Sequence, residues 1–345
     1  MRQRSDITVA IAPSHAAGYP WVNAFARAIS QSGFKVIDYG YELQFPQSAH
    51  VLIMHWGADI FFIEQTERKL NSLSELLNVW LSAKANRGLR LVWVMHNVRP
   101  HDTLPGRSNL AKRFLESLDG IIYLSKCSRE KFIETYGTKV RHELVCKRGH
   151  DRDDQLSPHR PPPPICEGVK LGYFGRIRPY KGLQDLIGCM DKLDTSDVSL
   201  SIAGLRQDTA YAAKIETMAA ARSTIHLDLR DELLPLSELE AFTDRCHGFV
   251  LPYRNILNSG AVFFALSRNR SVLCPGMGSL LELQADVGVE WLHLYQGALQ
   301  PSALRSFVQY LRVTEPRTCD LAAHDWAPIA RSISQFLDQV CIAGE

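Results

Sequence analysis

Residues 170–186 read Lys-Leu-Gly-Tyr-Phe-Gly-Arg-Ile-Arg-Pro-Tyr-Lys-Gly-Leu-Gln-Asp-Leu, and this order decides the fold. The run 169–174 is short and apolar, as a strand buried on both faces requires. Gly175 breaks it. Pro179 and Gly182 then set a turn flanked by Arg176 and Lys181, and an amphipathic helix begins near Leu183. Strand, cationic turn and helix N-terminus bring backbone N–H groups and fixed positive charge to one place, where a diphosphate can sit. An ordinary βα turn with solvated cations would look the same, so the stretch decides the fold before it decides a ligand.

A second stretch, 251–261, reads Leu-Pro-Tyr-Arg-Asn-Ile-Leu-Asn-Ser-Gly-Ala. A strand is expected to end at Pro252 and a helix to start at Asn258-Ser259-Gly260, with Asn258 as N-cap. Ser259 and Gly260 would let a diphosphate approach free N–H groups at the positive end of the helix dipole. Capped helices without ligands are common, but two such elements on βα loops of one domain favour a nucleotide-diphosphate site.

Outward from these loops the alternation continues. Further strands are expected over 198–203, 225–229, 248–252 and 271–274, with helices near 183–193, 208–221, 236–244, 259–268 and 278–286. The first half repeats the pattern, with strands at 7–12, 34–39, 51–55, 89–95 and 120–124 and helices at 21–30, 70–84, 107–117 and 128–136, after which 140–147 leads into the linker. This is an α/β pattern that implies two doubly wound, Rossmann-like parallel sheets facing a cleft. The proline-rich segment 151–167 cannot sustain helix or sheet and reads as the linker. The expected domains are 1–163 and 164–325, with a terminal helix in 326–345 packing back toward the first.

The 345 residues carry a formal charge of only +2, but unevenly. Residues 1–165 hold 22 Lys and Arg against 16 Asp and Glu, and the remainder holds 17 against 21. A basic first half suits an anionic membrane surface or a phosphorylated acceptor, and equally a solvated face. No nucleic-acid partner is expected. The basic helix 107–117 sets Lys112 and Arg113 opposite Leu110, Phe114 and Leu118, and could lie on anionic lipid or simply face solvent. Eight scattered cysteines without a C-x-x-C pair suit reduced thiols. No apolar run spans a bilayer and no signal-peptide h-region precedes the first strand, so a cytoplasmic protein, peripheral at the inner face of the plasma membrane, is expected.

In the first half the densest polar group follows the strand 89–95: His96-Asn97-Val98-Arg99-Pro100-His101-Asp102. His15 lies in the loop after the first strand. Asp102, His15, His96 and His101 are the catalytic candidates of this half. His96 and Asn97 could instead bond loop backbone. The His and Asp spacing does not match a helical zinc motif, and no metal is expected.

Gly175-Arg176-Ile177-Arg178-Pro179-Tyr180-Lys181-Gly182 resembles the G-R-x-x-x-x-K-G turn of GT-B nucleotide-sugar glycosyltransferases. The resemblance implies that Arg176 and Lys181 bind the donor diphosphate with Gly175, Asn258, Ser259 and Gly260. It places the base-holding loop at 226–231, where Arg230 and Asp231 frame the base or form a surface ion pair. Glu282 would take the donor ribose, or merely stabilise its helix N-terminus. Segments 96–102 and 258–260 are similar to bacterial exopolysaccharide mannosyltransferases of the xanthan type. Retaining members carry two glutamates eight positions apart around the phosphate helix. Here Arg254, Asn255 and Asn258 precede Ser259-Gly260-Ala261, so the resemblance implies an inverting, metal-independent reaction with no cofactor. The implied donor is GDP-mannose, bound by the second domain. The implied acceptor is a glycan, or an oligosaccharide on polyprenyl diphosphate, bound by the first. A UDP-GlcNAc 2-epimerase-like enzyme and a catalytically inactive GT-B scaffold are the alternatives.

Overall fold

The computed structural model describes residues 3–15, 20–61, 67–99, 109–152, 160–193 and 197–342. It divides into two compact units, 1–149 with 324–345, and 150–323.

The first unit carries β1 (Thr8–Ala12), α1 (Pro20–Gln31), β2 (Lys35–Asp38), β3 (Val51–Met54), α2 (Gly57–Phe61), α3 (Glu67–Arg87), β4 (Arg90–Met95), α4 (Asn109–Ser117), β5 (Gly120–Tyr123), α5 (Lys126–Tyr136) and β6 (His142–Val145). Its six strands are all parallel, in the order β2-β1-β3-β4-β5-β6. The central strands β1, β3, β4 and β5 are buried almost throughout, which is why they read as unbroken apolar runs.

The second unit carries β7 (Val169–Arg176), α6 (Leu183–Met190), β8 (Val198–Leu205), α7 (Thr209–Ala220), β9 (Ile225–Arg230), α8 (Leu236–Arg245), β10 (Gly248–Val250), α9 (Gly260–Ser267), β11 (Ser271–Pro275), α10 (Leu280–Val287), β12 (Leu292–Tyr295) and α11 (Pro301–Val313). Its parallel sheet runs β12-β11-β10-β7-β8-β9. The strand order reverses between β7 and β10. In open α/β sheets ligands bind outside the carboxyl ends of the strands at that point.

The last helix, α12 (Trp326–Ile342), belongs to the first unit, where Ile333, Phe336 and Val340 join the core of α1 and β1. Gly120 makes room for it, since a Cβ there would lie 2.7 Å from the Phe336 ring.

Several local expectations change. β7 does not stop at Gly175 but runs through Arg176, because Gly175 (φ 135°) and Gly204 let β7 and β8 keep pairing. β12 and α11 had no counterpart in the sequence reading. The ends of the proline-rich segment are held by the second unit. The Arg270 guanidinium, wholly buried, donates to the carbonyls of Arg160 and Pro161, and Arg152 donates to that of Ser267. Helix α4 buries its apolar side, with Phe114 stacked 4.4 Å from Phe61, while Arg113 bonds Asn78 and Lys112 pairs with Glu116. That apolar face is therefore spent on the core rather than available for lipid. Among the described residues, no helix is long and apolar enough to cross a membrane.

Candidate functional site: the β7 and β10 loops

The loop after β7 forms a single 3-10 turn, Pro179–Lys181, ended by Gly182 in the left-handed region (φ 70°). A Cβ on Gly182 would also lie 2.0 Å from the Pro252 carbonyl oxygen, so the β7 and β10 loops touch backbone to backbone. The Arg254 amide donates to the Tyr180 carbonyl (2.8 Å), and the Arg254 guanidinium grips Asp185 of α6 with two bonds of 2.9 and 2.8 Å. The Lys181 ammonium lies 4.3 Å from the Tyr253 ring centroid, and the Tyr253 hydroxyl bonds Ser259 Oγ at 2.9 Å. One chain of contacts thus runs from the cation to the start of α9.

Ser259, rather than Asn258, is the N-cap of α9. Its backbone is extended (φ −129°) and its Oγ accepts from the Val262 amide, whereas half-buried Asn258 stands one residue outside. Ser259 O receives the Phe263 amide, which leaves the Gly260 and Ala261 amides pointing out of the first turn. The β11 loop closes onto the same place: the Ser279 amide donates to Leu257 O, and a Cβ on Gly278 would lie 2.6 Å from that oxygen. Glu282, half-buried in the first turn of α10, is carried there with it.

Arg176 ends β7 in register with Leu205 and, through it, with Arg230 on the carboxyl edge of the sheet. Its Nη1 donates to Gln207 Oε1 at 3.0 Å, on the loop after β8. Arg230 pairs with Asp228 and Glu238, each at 2.8 Å, and not with Asp231, which is exposed and lies 3.6 Å from Arg206. The expected Arg230–Asp231 partnership therefore does not form.

In the first unit, His96 at the end of β4 bonds a side chain rather than loop backbone alone: its Nε2 lies 3.1 Å from Nδ1 of His55, at the end of β3. His55 is wholly buried; His96 is half-buried. Burial, with the neighbouring His96 for His55 and Arg148 for His96, lowers both rings, His96 to about 3. Both are neutral at ordinary pH. His15 is exposed and lies 3.7 Å from Asp38. His101 and Asp102 lie outside the described residues.

No protein-family model matches the chain. Two GDP-mannose:glycolipid 4-beta-D-mannosyltransferases of Xanthomonas campestris pv. campestris do. One is 30% identical over 250 residues and the other 29% over 254, each match covering 71% of this chain and 67% of the relative. The chain belongs to the GT-B glycosyltransferase family that holds these two enzymes. Its fold agrees. HepE from Anabaena, solved with UDP and glucose, superposes with a TM-score of 0.63 at 12% identity over 96% of this chain and 99% of its own. Sucrose-phosphate synthase from Thermosynechococcus elongatus gives 0.62 at 14% identity over 98% and 100%.

In this glycosyltransferase, Tyr253 joins Lys181 to Ser259, while Asp185 holds Arg254, Gln207 holds Arg176 and His55 bonds His96. None of Tyr253, Asp185, Gln207 and His55 was singled out from sequence. Tyr253 sits inside the quoted 251–261 stretch, and a ring beside a predicted phosphate lysine was the available signal. Asp185, Gln207 and His55 are recognisable only once the elements carrying them are placed.

Proposed function

We propose that this glycosyltransferase moves mannose from GDP-mannose, with inversion and without a metal, onto a lipid-linked oligosaccharide in exopolysaccharide assembly. The observation that carries the donor half is the position of the two loops: those after β7 and β10 flank the point where the strand order reverses, and they set Lys181 over the Tyr253 ring, whose hydroxyl bonds the Ser259 cap of α9. Lys181, Arg176 and the α9 N-terminus would stabilise the leaving diphosphate by fixed charge and dipole, the usual duty of a metal in other phosphate sites.

Inversion follows from the lack of an acidic pair around α9, where the described loop offers Arg254, Asn255 and Asn258. A β-linked product, the linkage in the relatives' names, also requires inversion from the α-linked sugar of GDP-mannose. A single displacement needs one base to take the acceptor proton while the diphosphate departs. Among the described candidates, His96 is half-buried and bonds the buried His55, whereas His15 is exposed. The glycolipid acceptor is inferred from the same relatives, and the peripheral membrane location from that acceptor.

Incubation with GDP-mannose and a polyprenyl-diphosphate oligosaccharide tests this reading. A mannosylated lipid whose new linkage is β by its one-bond C1–H1 coupling is expected. An α linkage overturns inversion, free mannose without lipid product points to an epimerase-like or hydrolytic enzyme, and no turnover with any nucleotide sugar points to a scaffold.

A further inference from the structure

We propose that the second unit carries an anion site at the amino ends of β7, β8 and β9, which binds a phosphate group through Lys170 and Arg245. Lys170 and Arg176 stand at opposite ends of β7, ~20 Å apart along an extended strand, so this site is separate from the donor loops. The inference does not depend on which sugar the enzyme transfers.

The strands themselves keep this place open. A parallel strand covered on both faces reads as an unbroken apolar run, but β8 begins Val-Ser-Leu-Ser-Ile and β9 begins Ile-His-Leu-Asp-Leu. Leu200 and Ile202 are buried, whereas Ser199, Ser201, His226 and Asp228 line a groove of about 580 Å³, within the size of small-ligand sites. Strand register sets Lys170 beside Ser199, and Gly172, Ser201 and His226 abreast. The end of α8 also lines the groove, through Phe242, Arg245 and Cys246. Gly172 lets it approach, since a Cβ there would lie 2.8 Å from Cys246 Sγ. His247 ties Lys170 in place: its amide donates to the Lys170 carbonyl at 2.8 Å, and its Nδ1 accepts from the Lys170 amide at 2.7 Å.

Charge selects the occupant. Among the described residues, the Lys170 and Arg245 side chains form no ion pair, and the His226 ring and the Ser199 and Ser201 hydroxyls form no hydrogen bond. Two of the lining carboxylates are already paired. Asp228 takes two bonds of 2.8 Å from Arg230, and Asp244 takes two from the buried Arg268, with Arg270 3.7 Å away. The third, Glu167, is exposed. The cations reach the deep side of the groove: burial pushes the Cys246 thiol up to about 12, and the charges that draw it back are Arg270, Arg245 and Lys170.

A phosphate matches this set. Its oxygens take charge-assisted hydrogen bonds from an ammonium and a guanidinium, and the serine hydroxyls and imidazole add neutral donors. A neutral sugar would leave both cations unmatched, and a divalent cation would meet their repulsion. The same phosphate chemistry is offered by a soluble molecule and by a lipid headgroup, which the experiment must separate.

Titration of the full chain with inorganic pyrophosphate, followed by NMR of the histidine rings, tests the site in the wild type. A saturable shift of the His226 ring signals at millimolar pyrophosphate is expected. Lys170→Gln and Arg245→Gln should each raise the Kd read at His226 by about tenfold. Both side chains are exposed, so circular dichroism and the melting response to GDP should match wild type. Capture on phosphatidylglycerol vesicles but not phosphatidylcholine ones, lost in the double variant, would assign the phosphate to a lipid headgroup. Pyrophosphate binding without vesicle capture would assign it to a soluble molecule. An unmoved His226 ring, together with vesicle capture that is absent or indifferent to both substitutions, overturns the proposal, as does an unchanged Kd in both variants. None of these readouts uses mannose transfer, so this inference and the mannosyltransferase reading fall separately.

Discussion

The Lys181 ammonium rests 4.3 Å from the centre of the Tyr253 ring, and that ring's hydroxyl bonds the serine that caps α9. The cation on one loop is thereby set against the helix end on the next. Tyr253→Phe keeps the ring but loses a buried hydrogen bond, about 1 kcal/mol. It should raise the donor KM several-fold, and Tyr253→Leu, which also removes the cation–π contact, should raise it further. Steady-state kinetics in varied donor concentration checks the order; equal KM values would detach Tyr253 from the site.

Arg176→Ala and Lys181→Ala should each lower kcat/KM by about 10²–10³-fold, the usual loss for a group that stabilises developing charge. Neither side chain is part of the buried core, so circular dichroism and melting should stay near wild type. Near-normal turnover in both variants would move the phosphate site elsewhere.

Gly182→Ala should act through the backbone. The residue adopts φ 70°, and the added Cβ meets the Pro252 carbonyl at 2.0 Å. A loss of about 1–3 kcal/mol in denaturant unfolding is expected, together with weaker nucleotide binding. A variant as stable as wild type, with unchanged binding, would show that the two loops need not touch.

The histidine pair sets a pH dependence. Both rings have folded-state values below the ordinary 6.5, so folding opposes their protonation. The contribution of His96 is complete above about pH 6.5 and is lost as pH falls toward about 3, at up to ~1.4 kcal/mol per pH unit, and that of His55 acts in the same direction. Melting temperature should therefore drop on acidification, and less steeply in His96→Gln. If His96 is the base, the acid limb of kcat/KM in the free enzyme should lie well below pH 6. A limb near 6.5 would speak against His96 as the base.

If Arg176, Lys181 and the α9 amides supply the positive field at the diphosphate, as proposed, added EDTA should leave turnover unchanged. Measured rates before and after chelation, and after returning magnesium or manganese, check this. A loss restored by metal would refute the metal-free mechanism.

Much of this was legible in the sequence where a local rule applied. The buried central strands announced themselves because a parallel sheet covered on both faces leaves no polar positions, as in β4 and β5. The 170–186 and 251–261 stretches could be placed as βα loops because glycine, proline and cation spacing is a local property; that they flank the reversal of strand order is a property of the sheet. Local spacing could not choose between two adjacent capping residues, Asn258 and Ser259. Nor could it foresee that Arg230 would turn to Asp228 and Glu238, since ion pairing depends on which side chains tertiary packing brings within reach. Edge strand β12 and α11 escaped for a similar reason. His293 interrupts the short apolar signal of β12, and the strand pairs on one side only. The His55–His96 contact joins residues from separate strands and has no signature along the chain.

The β7 and β10 loops are proposed to hold a nucleoside diphosphate, and a melting panel with GDP, UDP, ADP and TDP tests this directly. A ligand that binds only the folded chain raises its melting temperature by mass action. GDP should give the largest rise in the wild type and little or none in Arg176→Ala or Lys181→Ala. An equal GDP response in both variants, or no response to any of the four, would contradict it.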